Sequence, residues 1–310
     1  MFSEENIKFG EIKMHTILLG ILEEGFVYAI MSLGVYITYK ILDFPDLSVD
    51  GTYPLGAAVT AALIVSGVNP YIALIAAAFA GICAGLITGI IHVKLGVRDL
   101  LSGIIVSLGL FSVNLRIAGK ANLPFFSEET VFTSVSSMNG LGTVLILIGM
   151  VVVCKFLLDF YLNTKSGYLL RAAGSNDKLV TALGKDKGTV RIIGLAIANG
   201  FAAFAGAIMC QKQGYFDVGM GTGTMVIGLA NVIIGTQLLK RLSFIKATTA
   251  VIIGSILYRA CVALAINLGA PAGDLKLITA ILFLVILVIS DSKSVFRKNL
   301  NKSGRVIKNA

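Results

Sequence analysis

A few polar side chains inside long apolar stretches are the residues of this sequence that could do chemistry. Arg259 stands about ten residues from the end of its stretch, which is roughly 15 Å along a helix that rises 1.5 Å per residue. If lipid surrounds that helix, an unpaired cation costs at least about 3 kcal/mol. We therefore expect Arg259 to face water, a carbonyl or a carboxylate, with Glu24 as the candidate partner. Three buried amides could line the same polar pathway or could instead bridge helices: Asn114, Asn199 and Asn231.

No pattern typical of catalysis or of cofactor binding accompanies these residues. The P-loop pattern G-x-x-x-x-G-K-[ST] is absent, because the Gly-Lys pairs at 119–120 and 184–185 are followed by Ala and Asp. The sequence has two histidines, and its four cysteines lie in apolar stretches without a C-x-x-C spacing. Neither a zinc site nor a disulfide framework is indicated. We expect no catalytic residues, no metal and no cofactor in this chain.

The composition places these polar groups in a membrane. Of the 310 residues, 56% are hydrophobic and 14% are charged, against roughly 25% charged residues in soluble domains. So few charges cannot cover a water-exposed surface, so lipid must be the solvent. The net charge of +9 could suggest nucleic acid, but the charges fall between the apolar stretches and in the tail. We expect a single transmembrane domain, 1–310, in the cell membrane and no nucleic-acid partner.

The apolar stretches predict an all-α, multi-pass fold. A span needs about 20 apolar residues, and a helix over Gly25–Leu42, begun by Glu23 and Glu24, is just long enough. Some stretches are short or rich in glycine, so one or two of them could be broken helices. The nine candidates are 17–42, 52–68, 71–92, 100–117, 141–161, 191–211, 224–239, 244–268 and 277–290.

The distribution of lysine and arginine predicts the orientation. If the N-terminus is outside and the spans alternate, 18 of the 26 basic residues lie inside, six outside and two within spans. Cytoplasmic loops carry an excess of Lys and Arg, so this bias favours an N-out, C-in topology. The basic tail, 291–310, is then cytoplasmic.

The chain also resembles itself at an offset of 172 residues. Seven identities fall between positions 34 and 58 at this offset, among them Gly34 with Gly206 and Gly56 with Gly228. The predicted repeats cover about 17–117 and about 191–290. In the N-out topology the two copies cross the membrane in opposite directions, and inverted-topology repeats are typical of transporters.

Three glycines form a stripe on one predicted helix. Gly81, Gly85 and Gly89 are spaced four residues apart, so they lie on one face. Such stripes let two helices approach closely. The partner helix could belong to the same subunit or to a second copy in a dimer.

The long central polar segment, 162–190, together with Arg191 after it, carries six basic and two acidic residues. It predicts a short helix, Leu169–Leu183, with Gly184 as the C-cap and with Gly167 and Gly184 as flexible joints. Leu169, Leu170, Ala173 and Leu179 are its expected packing residues. The segment could be a surface for a cytoplasmic partner, or it could only fix the topology.

Several motifs resemble a known family. The stretch G-Y-L-L-R-A-A-G-S-N at 167–176 and A-A-F-A-G at 202–206 resemble the coupling loop of ABC importer permeases of the branched-chain amino acid and ribose type. The stretches L-D-F-P-D-L-S-V-D-G-T at 42–52 and N-L-R-I-A-G-K-A-N-L-P at 114–124 are similar to the tryptophan/tyrosine-type, otherwise uncharacterised, subfamily. Ser48 stands where that subfamily usually has Thr.

The resemblance implies partners and roles. A permease of this type forms a homodimer, is driven by two cytoplasmic ABC ATPase subunits, and receives its solute from an extracellular or periplasmic substrate-binding lipoprotein. The solute would be an amino acid, aromatic or branched-chain, with a sugar or nucleoside as the alternative. The implied ATPase-coupling residues are Gly167, Leu170, Arg171, Ala172, Gly174, Asn176 and Gly184.

A second function class is compatible with the same repeat. An ion-coupled secondary transporter or a channel would act without an ATPase. Such a carrier has no need of an exposed inner helix with a fixed G-x-x-L-R-A-A-G face, which favours the importer.

The charge bias makes a prediction about two serines. With Ser137→Cys in the 119–140 loop and Ser303→Cys in the tail, an impermeant maleimide should label only the first in intact cells, because the Lys/Arg count places the tail inside. Equal labelling of both from outside would contradict the orientation.

Overall fold

A computed structural model describes residues 2–138, 140–240, 245–268, 277–281, 284–285 and 288. Its helices are α1 Phe2–Val35, continued by a π-helical segment Tyr36–Ile41, then α2 Val49–Val65, α3 Pro70–Val93, α4 Asp99–Ala118, α5 Leu141–Leu162, α6 Lys165–Ser175, α7 Asp177–Ala182, α8 Lys187–Gln213, α9 Thr224–Leu238 and α10 Ala247–Asn267. Short 3-10 helices cover Thr133–Met138 and Val218–Gly221, and the strands are β1 Asn122–Pro124 and β2 Tyr215–Asp217.

The predicted multi-pass helical fold is confirmed. Within the described residues, seven helices are long and apolar enough to cross a membrane. The predicted stretch 52–68 corresponds to α2, which at 17 residues is a shorter apolar helix. Six residues of the stretch 277–290 and the whole tail 291–310 lie outside the described residues. The count of nine stays a prediction.

Two local expectations were wrong. The first helix does not begin near Gly25, since α1 runs continuously from Phe2, and Glu23 and Glu24 lie inside it. The structure also contains two short antiparallel strands, β1 and β2, in which Leu123 lies opposite Phe216. The prediction of a purely helical fold did not include them. Three-residue strands carry too short a pattern to be read from the sequence. We call the end of the bundle at this pair the strand end, and the opposite end, which carries α6, the α6 end.

The most deeply buried span is α8, and backbone contacts surround it. A Cβ on Gly56 of α2 would meet the carbonyl of Ala203, and one on Gly206 would meet the carbonyl of Tyr53. Because lipid supplies no hydrophobic drive between helices, such close approach of small residues is what holds spans together.

The glycine stripe of α3 contacts α8 of the same chain. A Cβ added to Gly81 would meet Asn199 and Ala203. One added to Gly85 would meet Leu195 and Ala196, and one added to Gly89 would meet Ile192. The stripe therefore packs within the subunit and is not needed for a dimer seam.

The two short helices α2 and α9 begin beside each other in the interior. Asp50, in the first turn of α2, accepts hydrogen bonds from the backbone N–H of Met225 at 2.8 Å and of Gly223 at 3.3 Å, and from the Thr224 hydroxyl at 3.0 Å. The carboxylate thus caps α9 from a distant part of the chain, in the role that an N-cap side chain normally fills locally. From this junction α2 runs toward the strand end, where the Ala57 carbonyl accepts from the Cys210 thiol at 3.5 Å.

One contact between two helices recurs at the positions that the 172-residue offset predicts. Gly56 lies against Ala203, and their counterparts at this offset, Gly228 and Met31, also lie against each other. Equivalent positions are therefore in contact once between α2 and α8 and once between α9 and α1, in the second case through the Met31 side chain.

Adding a methyl group to α8 should test the importance of its close packing. Gly206→Ala is expected to lower the free energy of unfolding by about 3 kcal/mol, since the methyl collides with a backbone carbonyl that cannot move aside. The measurement is the thermal unfolding midpoint of the purified protein in detergent.

Gly109→Ala is the matched control, because this helical glycine has open space where a Cβ would lie. It should be neutral or stabilising, since alanine has the higher helix propensity. Equal effects of the two substitutions would show that the contact of α8 with α2 is not limiting.

Candidate functional site

Ion pairs near the strand end connect three helices. Arg259 Nη1 of α10 lies 2.8 Å from Glu24 Oε2 of α1, and the guanidinium lies 4.2 Å from the Tyr28 ring centroid. The predicted pairing of Arg259 with Glu24 is therefore present. The preceding residue, Glu23, pairs with Lys212 of α8 at 2.9 Å, a contact that the sequence analysis missed. Two successive glutamates in an apolar stretch were the signal from which a second ion pair could have been predicted.

Asn199 belongs to a second, fully buried group. Its Nδ2 donates to Asp46 Oδ2 at 2.8 Å, and the Ser48 hydroxyl lies 2.8 Å from Asp46 Oδ2 and 3.0 Å from Asn199 Oδ1. The three side chains are at most 1% exposed. They tie the connection between α1 and α2 to the middle of α8. Asp46 and Ser48 were not predicted as site residues, although both lie in the 42–52 motif.

The other two predicted amides have different surroundings. Asn231 Nδ2 donates to the hydroxyls of Ser32 at 2.9 Å and Ser255 at 3.3 Å, so it bridges α9 to α1 and α10. Asn114 Nδ2 donates to the Gly51 carbonyl at 3.1 Å, and its Oδ1 has no partner in the described part of the chain. Among the described residues, no hydrogen bond or ion pair joins these amides to the pair of Arg259 and Glu24.

A cavity of about 230 Å³ lies beside Asn114, between α2 and α4. Asp50 and Gly51 form one side, and Ser107 and Phe111 form another. It adjoins the junction at which α2 and α9 begin. Of the five residues predicted for the pathway, Asn114 is the one that lines this cavity.

The predicted helix Leu169–Leu183 is wrong as one element. The structure has α6 and α7 in its place, separated at Asn176, whose extended backbone (φ −157°, ψ 88°) ends α6. The Asn176 side chain accepts from Leu179 N at 3.3 Å and caps α7. Asparagine favours caps over helix interiors, and this preference was outweighed in the sequence analysis by the apolar residues around it.

The implied coupling residues divide into a buried and an exposed set. Leu170 is fully buried and lies with Leu42 against Gly194 of α8, and Gly174 lies against the Ile41 carbonyl at the end of the first span. Gly167 is packed inside the first turn of α6 against Tyr161 and is not the joint that was expected. Ala172 is partly buried against the core. The exposed members are Arg171, Asn176 and Gly184.

At the end of the segment 162–190, the predicted position of the helix C-cap is confirmed. Gly184 has φ +67°, the left-handed conformation predicted for the C-cap. Leu179, however, is 47% exposed and is not a packing residue. Asp186 then caps α8 by accepting from Thr189 N at 2.9 Å, the Thr189 hydroxyl at 2.8 Å and Gly188 N at 3.1 Å. These hydrogen bonds, those from Thr189 first, lower the pKa of the Asp186 carboxyl.

Comparison with known proteins identifies relatives over most of the chain. Residues 17–290 match the family described as "Branched-chain amino acid transport system / permease component". A tyrosine transport system permease protein of Clostridioides difficile is 44% identical over 87% of this chain and 90% of its own length. An uncharacterized protein of Rickettsia prowazekii is 34% identical over 87% and 96%. The ribose import permease protein of Escherichia coli is 26% identical over 70% and 68%.

In the ion pair of Arg259 with Glu24, removing one partner should have a larger effect than removing the other. Glu24→Leu is expected to lower the free energy of unfolding by about 2 kcal/mol, because it leaves a mostly buried guanidinium unpaired. Arg259→Leu should cost less, because Glu24, whose side chain is 43% exposed, can be hydrated. The measurement is the thermal unfolding midpoint in detergent. A larger loss for Arg259→Leu would contradict this account, and the exchanged variant Glu24→Arg/Arg259→Glu, expected to recover part of the loss, is the control.

Proposed function

Because the chain belongs to the family of branched-chain amino acid transport system permeases, we propose that it is the membrane-spanning subunit of an ATP-driven ABC importer. It is a multi-pass permease component in the cell membrane. The finer proposal is that cytoplasmic ABC ATPase subunits drive it and that an external binding lipoprotein delivers the solute. Hydrolysis of ATP belongs to the separate subunits, so this chain is not itself an enzyme.

The observation that carries the proposal is the seating of α6. One short helix contacts the end of the first span through Gly174, the end of α5 through Gly167, and α8 through Leu170. A force applied to α6 from outside the bundle reaches three spans through packed contacts, and those of Gly174 and Gly167 are with backbone atoms. This is the arrangement that a two-state movement driven by a partner requires.

The exposed face of the same segment offers a surface to that partner. Tyr168, Arg171, Leu179 and Leu183 are exposed, and the Arg171 guanidinium lies 5.8 Å from the Tyr168 ring centroid. Tyrosine and arginine are enriched at the energetic centres of protein interfaces, and the two exposed leucines add apolar surface around them. We propose that the ATPase binds here.

The proposed architecture is an inverted repeat in an N-out, C-in orientation. The exchanged contacts of Gly56 with Ala203 and of Gly228 with Met31 support the repeat, since an axis relating the two copies would generate such pairs. We propose that the chain works as a homodimer, the assembly that the family resemblance implies.

The proposed solute is an amino acid, aromatic or branched-chain. Its support is the 44% identity to a protein named a tyrosine transport system permease. A sugar is the alternative, from the more distant likeness to a ribose import permease, and a nucleoside is a further one.

A second candidate function is an ion-coupled carrier without an ATPase. The observation that favours it is Asp46, a buried carboxyl that has no lysine or arginine as a partner within the described part of the chain. Buried acids inside membranes commonly mark ion or proton pathways. The two candidates differ in whether uptake needs ATP.

The importer proposal predicts the effect of reversing one charge on α6. In proteoliposomes that contain the permease with its ATPase and binding protein, Arg171→Glu should lower ATP-dependent uptake at least about tenfold, since it places a like or unpaired charge in a buried interface. The thermal midpoint of the permease alone should not change, because Arg171 is exposed. Lys120→Glu, the same reversal at the strand end, is the control.

Gly174→Ala separates the lever from the docking surface. The added methyl would meet the Ile41 carbonyl within the chain, so α6 should still bind the ATPase but transmit its movement poorly. We expect ATP hydrolysis to continue while uptake falls. If Arg171→Glu retained the uptake and the stimulated hydrolysis of Lys120→Glu, the loop would be only a topology signal, and the ion-coupled carrier would become the better candidate.

A further inference from the structure

Beside the cavity between α2 and α4 lies a hydrogen-bond acceptor that no described residue satisfies. Asn114 is fully buried, its Nδ2 donates to the Gly51 carbonyl, and its Oδ1 has no partner. Rotating the amide by 180° would place Oδ1 against that carbonyl, so the amide orientation is fixed by its one hydrogen bond. A buried acceptor left unpaired is costly, and a donor that enters the cavity would remove the cost.

The side of the cavity formed by α2 carries a negative charge. Asp50 lines the cavity, and no lysine or arginine forms an ion pair with it in the described ranges of the chain. Its partners are the backbone N–H groups and the hydroxyl at the start of α9. The helix dipole offers roughly half a unit of positive charge, so part of the carboxylate charge remains uncompensated.

The remaining wall is apolar. Leu108 and Phe111 of α4 border the cavity and are themselves 70% and 50% exposed. Pockets that enclose a whole drug-sized ligand usually measure about 300–1,000 Å³. At about 230 Å³, this cavity has the size of a site for one end of a small solute, with the rest of the solute against the two apolar side chains.

We propose that this cavity is the subsite for the primary ammonium group of the transported solute. The ammonium donates to Asn114 Oδ1 and lies near the Asp50 carboxylate, while an apolar or aromatic portion lies along Leu108 and Phe111. The proposal rests on the proposed function and narrows its substrate class to amine-bearing solutes such as amino acids. A sugar carries neutral hydroxyl groups, so it would not balance the negative charge of Asp50.

The test is protection of a cysteine placed in the wall. Ser107 lines the cavity on α4, so Ser107→Cys is labelled with a maleimide in the complete transporter, reconstituted in nanodiscs. L-tyrosine and tyramine at millimolar concentration, both carrying an ammonium, should slow labelling severalfold. The acid 3-(4-hydroxyphenyl)propanoate and ribose, neither of which has an ammonium, should leave the rate unchanged. Ser112→Cys, exposed on the same helix, is the control that no compound should protect.

A second variant tests the acceptor itself. In the Ser107→Cys background, Asn114→Asp keeps an acceptor at this position and should retain protection by tyramine. Asn114→Leu removes the acceptor and should weaken that protection about tenfold, the effect expected from losing one hydrogen bond to a charged group. If Asn114→Leu does not fold, as judged by its thermal midpoint, the Ser107→Cys experiment alone decides.

Three results would overturn the subsite: no protection by either amine, equal protection by the acid or by ribose, or protection by sodium chloride at the same concentration, which would indicate a metal-cation site. Failure of the proposed function has a different signature. It would appear as uptake that does not depend on ATP in the unaltered complex, whatever the labelling shows.

Discussion

The structure depends on the close approach of backbones around α8. Spans in lipid gain little from burying apolar side chains against one another, so their association rests on van der Waals contact and on hydrogen bonds between helices. Gly56 and Gly206 bring α2 against α8 at backbone distance, and Gly81 and Gly85 do the same for α3. The polar groups are positioned by these contacts, since Asn199 reaches Asp46 only because α8 lies so close to the segment before α2.

The short helices α2 and α9 meet a related constraint. A helix that begins in the interior of the bundle leaves backbone N–H groups without water, so each beginning needs a partner from the protein. Asp50 supplies it for α9. Asp50 also lines the cavity at this junction. The same carboxylate therefore stabilises the start of α9 and borders the proposed ligand subsite.

The sequence predicted features that depend on local pattern. The spans follow from hydrophobicity, the C-cap at Gly184 from glycine in a left-handed conformation, and the partnership of Arg259 with Glu24 from the cost of a cation in lipid. It did not predict the break at Asn176, where a cap preference competes with apolar neighbours. It could not place Asp46 beside Asn199, because the two are 153 residues apart and no local pattern records their distance. For Asn114, the sequence indicated a buried amide, but only the packing of α2 against α4 creates the cavity beside it.

The pair of three-residue strands limits how the bundle can move. β1 follows α4 and β2 follows α8, and further backbone hydrogen bonds flank the pair, from Phe125 N to the Gly214 carbonyl at 2.8 Å and from Val218 N to the Ala121 carbonyl at 2.9 Å. The pair is a tether that removes relative degrees of freedom between these two helix ends. Any opening at this end that keeps these hydrogen bonds must move the adjoining ends of α4 and α8 together.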